Sequence, residues 1–460
     1  MGFDKKLIFQ YYAGLCANII SISYGAFCGW PSASFLELQA ENSPLETGPM
    51  TNVQAGYVGS MLCLGGLLGA FFFAWCAEKV GRKHCLLLTA IPSLVGWGII
   101  VIARNPFHLC IARFVGGFSG GGVFSVIPLY ITEFSETRVR GTLGSFIILS
   151  CNLGILSSFV IGNFFSYATT ALILSLLTIL FLVLFSFLPE SPQYLMRQNK
   201  MEATEKALRY FRNVGEIISK SSEELRGELE RMQVDEKPLS NEDNSITWSD
   251  INNRIARKAL MIGVAVLLLN QLCGCFAMIN YTATIFQQAG SNLSPKMAAI
   301  VVGVIQFLGS YASTMLVERA GRKILLVSSA IGTGIGLTCL GGYSYLTALG
   351  YDTKSFNWVP VTSFSFIIFI ASVGILTLPF LVVSEIMPPK IRNIGSMFCM
   401  STLWILAFLI LMYFPILGEV LGMHGMMFIF AANCFAGATF IIIFLPETKG
   451  KSIEKILLML

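Results

Sequence analysis

Long apolar runs recur along this chain, and they constrain its fold more than any other feature. A helix that crosses a bilayer needs about 17 to 25 mostly apolar residues. Twelve such runs can be marked, near Leu7–Cys28, Val53–Ala77, Cys85–Ala103, Phe107–Ile131, Leu143–Phe165, Ala168–Leu188, Ala259–Tyr281, Ala298–Val317, Ile324–Leu346, Val359–Val383, Ser396–Met412 and Met426–Leu445. Because lipid offers no hydrogen bonds to the backbone, these runs predict an all-α integral membrane protein with twelve transmembrane helices.

The charge content agrees with a chain that lies mostly in lipid. Only 12% of its 460 residues are charged, whereas soluble domains carry about 25%. The net charge of +5 is small, and its basic residues sort by loop, so we expect no nucleic-acid partner. The twelve cysteines lie almost entirely in apolar runs without metal-ligand spacing, which argues against a zinc site or a disulfide framework.

The loop charges set the orientation. Of the 31 lysines and arginines, 27 lie on the termini and the alternate loops that share their side. The other side has Arg104, Lys296 and Lys354, and Arg113 falls within the fourth run. Since basic residues accumulate in cytoplasmic loops, we expect both termini to be cytoplasmic.

A charged segment divides the chain. Residues 197–258 hold twelve basic and twelve acidic residues, which predicts a cytoplasmic linker between the domains 1–196 and 259–460. Within it, Ser221 and Glu224 have the spacing of a capping box, followed by apolar residues at helical steps. We expect short helices in this linker.

The two six-helix domains repeat each other in their loops. Glu78-Lys79-Val80-Gly81-Arg82-Lys83 corresponds to Glu318-Arg319-Ala320-Gly321-Arg322-Lys323, Pro189-Glu190-Ser191-Pro192 corresponds to Pro446-Glu447-Thr448-Lys449, and Glu133 and Arg140 have the same spacing as Glu385 and Arg392. Such a duplication is typical of secondary transporters, which hold substrate near the midplane between two halves.

These doubled motifs resemble the sugar-porter family of the major facilitator superfamily, over almost the whole chain. Gly29-Trp30, Asn42-Ser43-Pro44-Leu45 and Met61-Leu62-Cys63-Leu64-Gly65-Gly66 are most similar to insect facilitated trehalose transporters. The resemblance implies two pseudo-symmetric six-helix bundles and facilitative transport of trehalose or a hexose such as glucose by alternating access, without ATP. It also implies the plasma membrane as the location.

Polar residues inside apolar spans are the candidate sugar ligands. A sugar loses many hydrogen bonds to water on entering a membrane site, so amides and hydroxyls must replace them. The resemblance places Asn152, Asn270, Gln271 and Gln306 where sugar porters bind sugar hydroxyls. Hydrogen bonding between helices is the alternative role for such amides.

Aromatic residues complete the expected substrate site, and two of them depart from the family pattern. The family's asparagine in the seventh span is Phe276 here, and the tryptophan of its tenth span is Phe380. Trp404 keeps the family's aromatic residue, and the rings of Trp404 and Phe380 could each stack on a sugar. We therefore expect an altered pocket.

Ten charged residues at the loop ends are expected to form a cytoplasmic gate, pairing across neighbouring helices when that side is closed. They are Glu78, Arg82, Glu133, Arg140 and Glu190 in the first half and Glu318, Arg322, Glu385, Arg392 and Glu447 in the second.

No acidic residue occurs from Leu7 through Phe35, where the proton-coupled bacterial members of the family place an aspartate, so we expect uniport.

The three histidines lie on separate segments, and no nucleophile and base pair is apparent, so we expect no enzyme activity. We expect a sugar and membrane lipid as partners, no obligate protein partner, no metal and no cofactor. A facilitator of another polyol or small organic solute, and a transporter-derived sugar sensor, remain as alternatives.

Overall fold

The structure, a computed structural model, describes residues 7–213, 227, 229, 248–289, 293–352, 354–451 and 453–459. The helix expected after Ser221 lies outside these residues. The helices are α1 Ile8–Leu38, α2 Asn52–Val80, α3 Arg82–Val101, α4 Pro106–Phe134, α5 Thr137–Phe164, α6 Tyr167–Ser186, α7 Pro192–Arg197, α8 Met201–Arg212, α9 Trp248–Asn252, α10 Arg254–Leu272, α11 Cys275–Asn280, α12 Thr282–Ala289, α13 Pro295–Ala320, α14 Arg322–Ala348, α15 Val359–Val373, α16 Leu378–Ile386, α17 Arg392–Phe444 and α18 Ile453–Met459.

Eleven helical segments of the described chain are long and apolar enough to cross a membrane. Helices α1–α6 pack mainly on one another, as do α10–α17, and the two groups meet where α2 contacts α17 and where α5 contacts α13. The face at which α1 begins and α17 ends is called here the terminal face, and the other end of the bundle the opposite face.

The longest segment, α17, doubles back on itself at Gly422. This glycine has φ 67° and ψ 167°, a conformation almost restricted to glycine. The rings of Phe414 and Phe430 stack with their centroids 6.3 Å apart, although a straight helix would separate these residues by about 24 Å. The 53 residues of α17 are therefore two helices joined at Gly422.

Local signals in the sequence explain where the spans begin. Thr51 and Gln54 form a reciprocal capping box at the start of α2. Asn105 and Ser294 each cap a helix whose first residue is proline, a residue that suits this position because its missing N–H has no helical partner there.

Three spans differ from the continuous, shorter helices that the apolar runs suggested. Helix α1 continues through Pro31 to Leu38, beyond the expected end at Cys28. The seventh span breaks at Gly274, where φ is 74°, and the tenth breaks between Val373 and Leu378. Proline and glycine mark these irregularities, but which of them end a helix depends on the donors that neighbouring helices supply.

The backbone at Gly422 leads to a test of the chain reversal. A residue with a Cβ is strained in the backbone conformation of Gly422, so Gly422→Ala should destabilise the protein by about 1–3 kcal/mol. The midpoint of thermal unfolding in detergent would measure this. Gly342→Ala is the control, because a Cβ there meets open space within a helix. An equal midpoint for the two variants would contradict the hairpin.

Candidate functional site

An ionic cluster centred on the buried pair Arg82 and Glu133 joins helix ends of the first half at the terminal face. The Arg82 guanidinium is fully buried and donates from Nε to Glu133 Oε1 at 2.9 Å and from Nη2 to Glu78 Oε1 at 3.1 Å. Ser191 Oγ donates to the other oxygen of Glu133. Glu190 accepts from the backbone N–H groups of Arg82 and Lys83 at 2.9–3.0 Å. Four of the helix ends on this face, those of α2, α3, α4 and α7, are thereby held together.

The second half repeats this arrangement in a cluster that is more exposed to solvent. Arg322 donates from Nε and Nη2 to Glu385 Oε1 at 3.2 and 3.1 Å. Thr448 takes the place of Ser191 and donates to Glu385 Oε2 at 2.5 Å. The side chain of Glu385 is 22% exposed, against 2% for Glu133. The repeated sequence motifs thus form the same arginine–glutamate and hydroxyl–glutamate hydrogen bonds in both halves.

Glu447 is the counterpart of Glu190. Burial alone would raise the pKa of its carboxyl group, but backbone N–H groups of Lys449, Arg322, Lys323 and Thr448 donate to it and hold its pKa below the usual value. It is therefore ionised at neutral pH and anchors the start of α14.

The remaining two arginines of the expected gate keep unused donors. Arg140 donates from Nη2 to the Ser135 carbonyl at 3.2 Å, while its buried Nε has no partner among the described residues. Arg392 has two such atoms, Nε and Nη2. The side chain of Glu318 lies outside the described part of the chain.

A polar bridge joins the two halves at mid-depth. Asn152 in α5 accepts from Gln306 Nε2 in α13 at 2.9 Å, and its own Nδ2 donates to Ser310 Oγ at 2.5 Å. The three residues are 7%, 4% and 2% exposed. Gln306 Oε1 is buried and has no partner in the described structure.

The amides of the seventh span have separate tasks. Pro379 has no N–H, so the Ile375 carbonyl lacks its helical donor. Asn270 Nδ2 supplies one at 2.7 Å, and its Oδ1 accepts from Gln271 Nε2 at 3.0 Å. Gln271 Oε1 is left buried without a partner among the described residues. Asn270 therefore supports the backbone, while Gln271 presents a free acceptor.

Aromatic rings connect the halves near the same depth. Phe124 of α4 stacks on Phe380 and meets Trp404 edge-on, with centroids 6.4 Å apart in each case. Phe276 is half-buried and packs on the core. The structure thus relates Phe380 and Trp404 through Phe124, a residue that the sequence had not singled out.

Arg113 is fully buried nearer the opposite face and serves the backbone. Its Nε donates to the Val58 carbonyl at 3.2 Å, and its Nη1 donates to the Phe27 carbonyl, which Pro31 leaves without a helical donor. Nη2 lies 3.5 Å from Asn280 Oδ1 in the other half. The cost of burying this charge is offset by hydrogen bonds to carbonyl groups.

Contacts between the halves continue at the opposite face. Tyr281 Oη lies 3.3 Å from the Ala55 carbonyl, and Lys296 Nζ donates to the Gly162 carbonyl at 3.1 Å. Asn52 donates to Glu419 at 2.5 Å. These contacts join the two halves at this face, whereas the ion pairs of the terminal-face clusters above stay within one half.

Sequence reasoning found the amides but missed Ser310, Phe124 and Tyr281. Ser310 follows Gln306 by four residues, so it shares a helix face with a candidate ligand, and this signal could have found it. Phe124 and Tyr281 matter through contacts between helices far apart in sequence, which no local pattern reports.

Comparisons with known proteins agree with this architecture. A family model described as "Sugar (and other) transporter" matches residues 6–460. The facilitated trehalose transporter Tret1 of Drosophila mojavensis is 32% identical over 447 residues, 97% of this chain and 51% of that protein. Tret1 of Culex quinquefasciatus is 31% identical over 447 residues, 97% of this chain and 85% of that protein. The chain thus spans about half the length of some of these relatives.

Solved structures show the same fold. The xylose transporter XylE of E. coli, in a partially occluded inward-open conformation, superposes with a TM-score of 0.76 at 21% identity, covering 96% of this chain and 99% of that one. This likeness is to the major facilitator fold.

The difference in burial between the two clusters gives a test. Glu133→Gln leaves the buried Arg82 without its closest carboxylate, so we expect the protein to lose about 3–5 kcal/mol of stability. Glu385→Gln should cost less than half as much, because water reaches that pair. Thermal unfolding midpoints in detergent would rank them, and an equal loss would show that burial does not set the strength of these pairs.

Proposed function

We propose that this chain, which belongs to the sugar (and other) transporter family, carries a neutral sugar across a membrane by facilitated diffusion. The relatives named above are trehalose transporters, and a xylose transporter shares the fold. Trehalose and hexoses such as glucose are therefore the substrates to test first.

Two unpaired amide oxygens carry the proposal. Gln271 Oε1 and Gln306 Oε1 lie mid-span, buried and without partners among the described residues. A buried acceptor without a donor costs about 1–3 kcal/mol. Sugar hydroxyl groups would supply such donors, and the rings of Phe124, Phe380 and Trp404 would cover apolar faces of the sugar.

The contacts between the halves support alternating access. Lys296 and Asn52 form hydrogen bonds between the halves at the opposite face, and the Tyr281 hydroxyl lies 3.3 Å from the Ala55 carbonyl, contacts that would keep this face closed. The described ion pairs at the terminal face hold each half together as a rigid unit. Rocking of one unit against the other would open one face and close the other.

The sequence supports uniport rather than proton coupling. Helix α1 has no acidic residue before Glu37, and Arg113 makes its hydrogen bonds to carbonyl and amide oxygens. A titratable carboxylate beside this cation would be the natural proton carrier. Transport should therefore not respond to a pH gradient.

The pocket aromatics favour a second candidate, a smaller polyol. By the resemblance, Phe276 and Phe380 replace an asparagine and a tryptophan of sugar porters, and Phe124 stacks on Phe380 in this structure. A narrower site with fewer hydroxyl partners would suit a smaller solute than a disaccharide.

The bias of basic residues supports a topology with both termini in the cytoplasm, and the resemblance to sugar porters supports the plasma membrane as the location. The terminal face would then be cytoplasmic and the opposite face extracellular. The hairpin at Gly422 supports twelve crossings, since it divides a 51-residue apolar span in two.

The ten loop charges form a cytoplasmic gate in this proposal. Arg82, Glu133, Arg322 and Glu385 brace their own halves through the pairs described above. Arg140 and Arg392, with guanidinium atoms that lack partners among the described residues, are the members available to pair across the halves when this face closes.

Uptake tests the transport proposal. Oocytes expressing the chain should take up labelled trehalose, glucose or a smaller polyol saturably, with no change under an inward pH gradient. Gln271→Leu removes the free acceptor and should raise KM by about tenfold. Asn433→Leu is the matched control, because among the described residues this amide bonds to its own helix at Ile429.

A tag at Met1 measures expression and checks topology, since antibody should reach it only after permeabilisation. Surface protein without saturable uptake of any of the three solutes would overturn the transport proposal. Accumulation driven by the pH gradient would overturn uniport alone.

The gate has its own test. Arg140→Gln and Arg392→Gln should each lower the maximal uptake rate by about fivefold, since loss of about 1 kcal/mol makes the cytoplasm-closed state rarer. Arg138→Gln is the control, because its guanidinium is exposed and pairs locally with Glu136. Unchanged rates in the first two variants would exclude them from the gate.

A further inference from the structure

The bridge of Asn152, Gln306 and Ser310 lies across the surface along which the two halves must move. Asn152 belongs to α5 in the first half and is held by two side chains of α13 in the second. Any sliding of α5 against α13 at this depth separates Asn152 from both partners.

Breaking this bridge is costly in the empty protein. All three residues are at most 7% exposed, so little water is at hand to replace the lost partners. Each polar group left alone would cost about 1–3 kcal/mol. A bound sugar changes this, because its hydroxyl groups both donate and accept and can bond to Asn152 and Gln306 as they part.

We propose that Ser310 anchors a bridge that slows reorientation of the empty carrier, and that substrate releases the bridge. The inference rests on the proposed sugar transport and adds a residue outside the expected set of sugar ligands. Ser310 acts through Asn152, as a positioning residue, and its hydroxyl need not touch the sugar.

A second serine on the same helix provides a matched control. Ser313 is 3% exposed, much like Ser310. Its hydroxyl bonds to Thr377 Oγ1 at 2.8 Å, within the second half. Removing either hydroxyl creates the same small void in α13, but only Ser310 connects the halves.

The ratio of equilibrium exchange to net sugar flux tests the inference, since net flux requires return of the empty carrier and exchange does not. The wild type should exchange faster than it transports net. Ser310→Ala should lower this ratio about threefold to tenfold by speeding the empty return. Ser313→Ala should leave the ratio unchanged, and Ser310→Thr should restore it. The ratio is independent of expression level.

A wild-type ratio of one, or equal ratios in the two alanine variants, would overturn the inference while leaving sugar transport intact.

A second measurement needs no substrate. Ala283 is fully buried at the opposite face, where its N–H bonds to Ser32 of the other half. In the Ala283→Cys background, Ser310→Ala should speed labelling by an impermeant thiol reagent severalfold, and Ser313→Ala should not. Equal labelling rates in the Ser310→Ala and Ser313→Ala variants would also contradict the bridge, even if the protein carried no sugar.

Discussion

The need to satisfy every backbone group in a medium without water governs this structure. Three of the prolines inside spans, Pro31, Pro379 and Pro415, each remove the donor for the carbonyl four residues earlier. In each case a side chain from another segment supplies it, at Phe27, Ile375 and Leu411 respectively. The donors are Arg113, Asn270 and Tyr281. A break in one helix thus fixes the position of another.

This constraint separates two kinds of buried polar residue that look alike in the sequence. Asn270 and Arg113 each donate to a carbonyl group that a proline leaves without its helical donor, so they support the scaffold. Gln271 and Gln306 are held by one end and leave an oxygen open. Polar residues within a span therefore indicate function only after the backbone's needs are met, and those needs depend on the tertiary fold.

Much of the fold could be predicted because its signals are local. Apolar runs and short loop motifs each depend on residues close together in the sequence, and they predicted the helical membrane protein and the repeated hydrogen bonds of the two halves. The continuation of α1 through Pro31 could not be predicted this way, because Arg113 lies 82 positions further along the chain. The reversal at Gly422 likewise rests on a backbone angle that many glycines could adopt.

The candidate site was predicted as a set of residues but not as an arrangement. Asn152 and Gln306 were both expected to meet a sugar, yet in this structure each is a partner of the other. In the proposed transport cycle, the same amides would bind each other when no substrate is present and a polyol when one is bound. Such an alternative partner would stabilise the carrier without substrate, because buried amides left unpaired are costly, and the bridge would have to break before the halves reorient. In that proposed cycle, hydroxyl groups of a substrate would supply donors to the two open acceptors at Gln271 and Gln306.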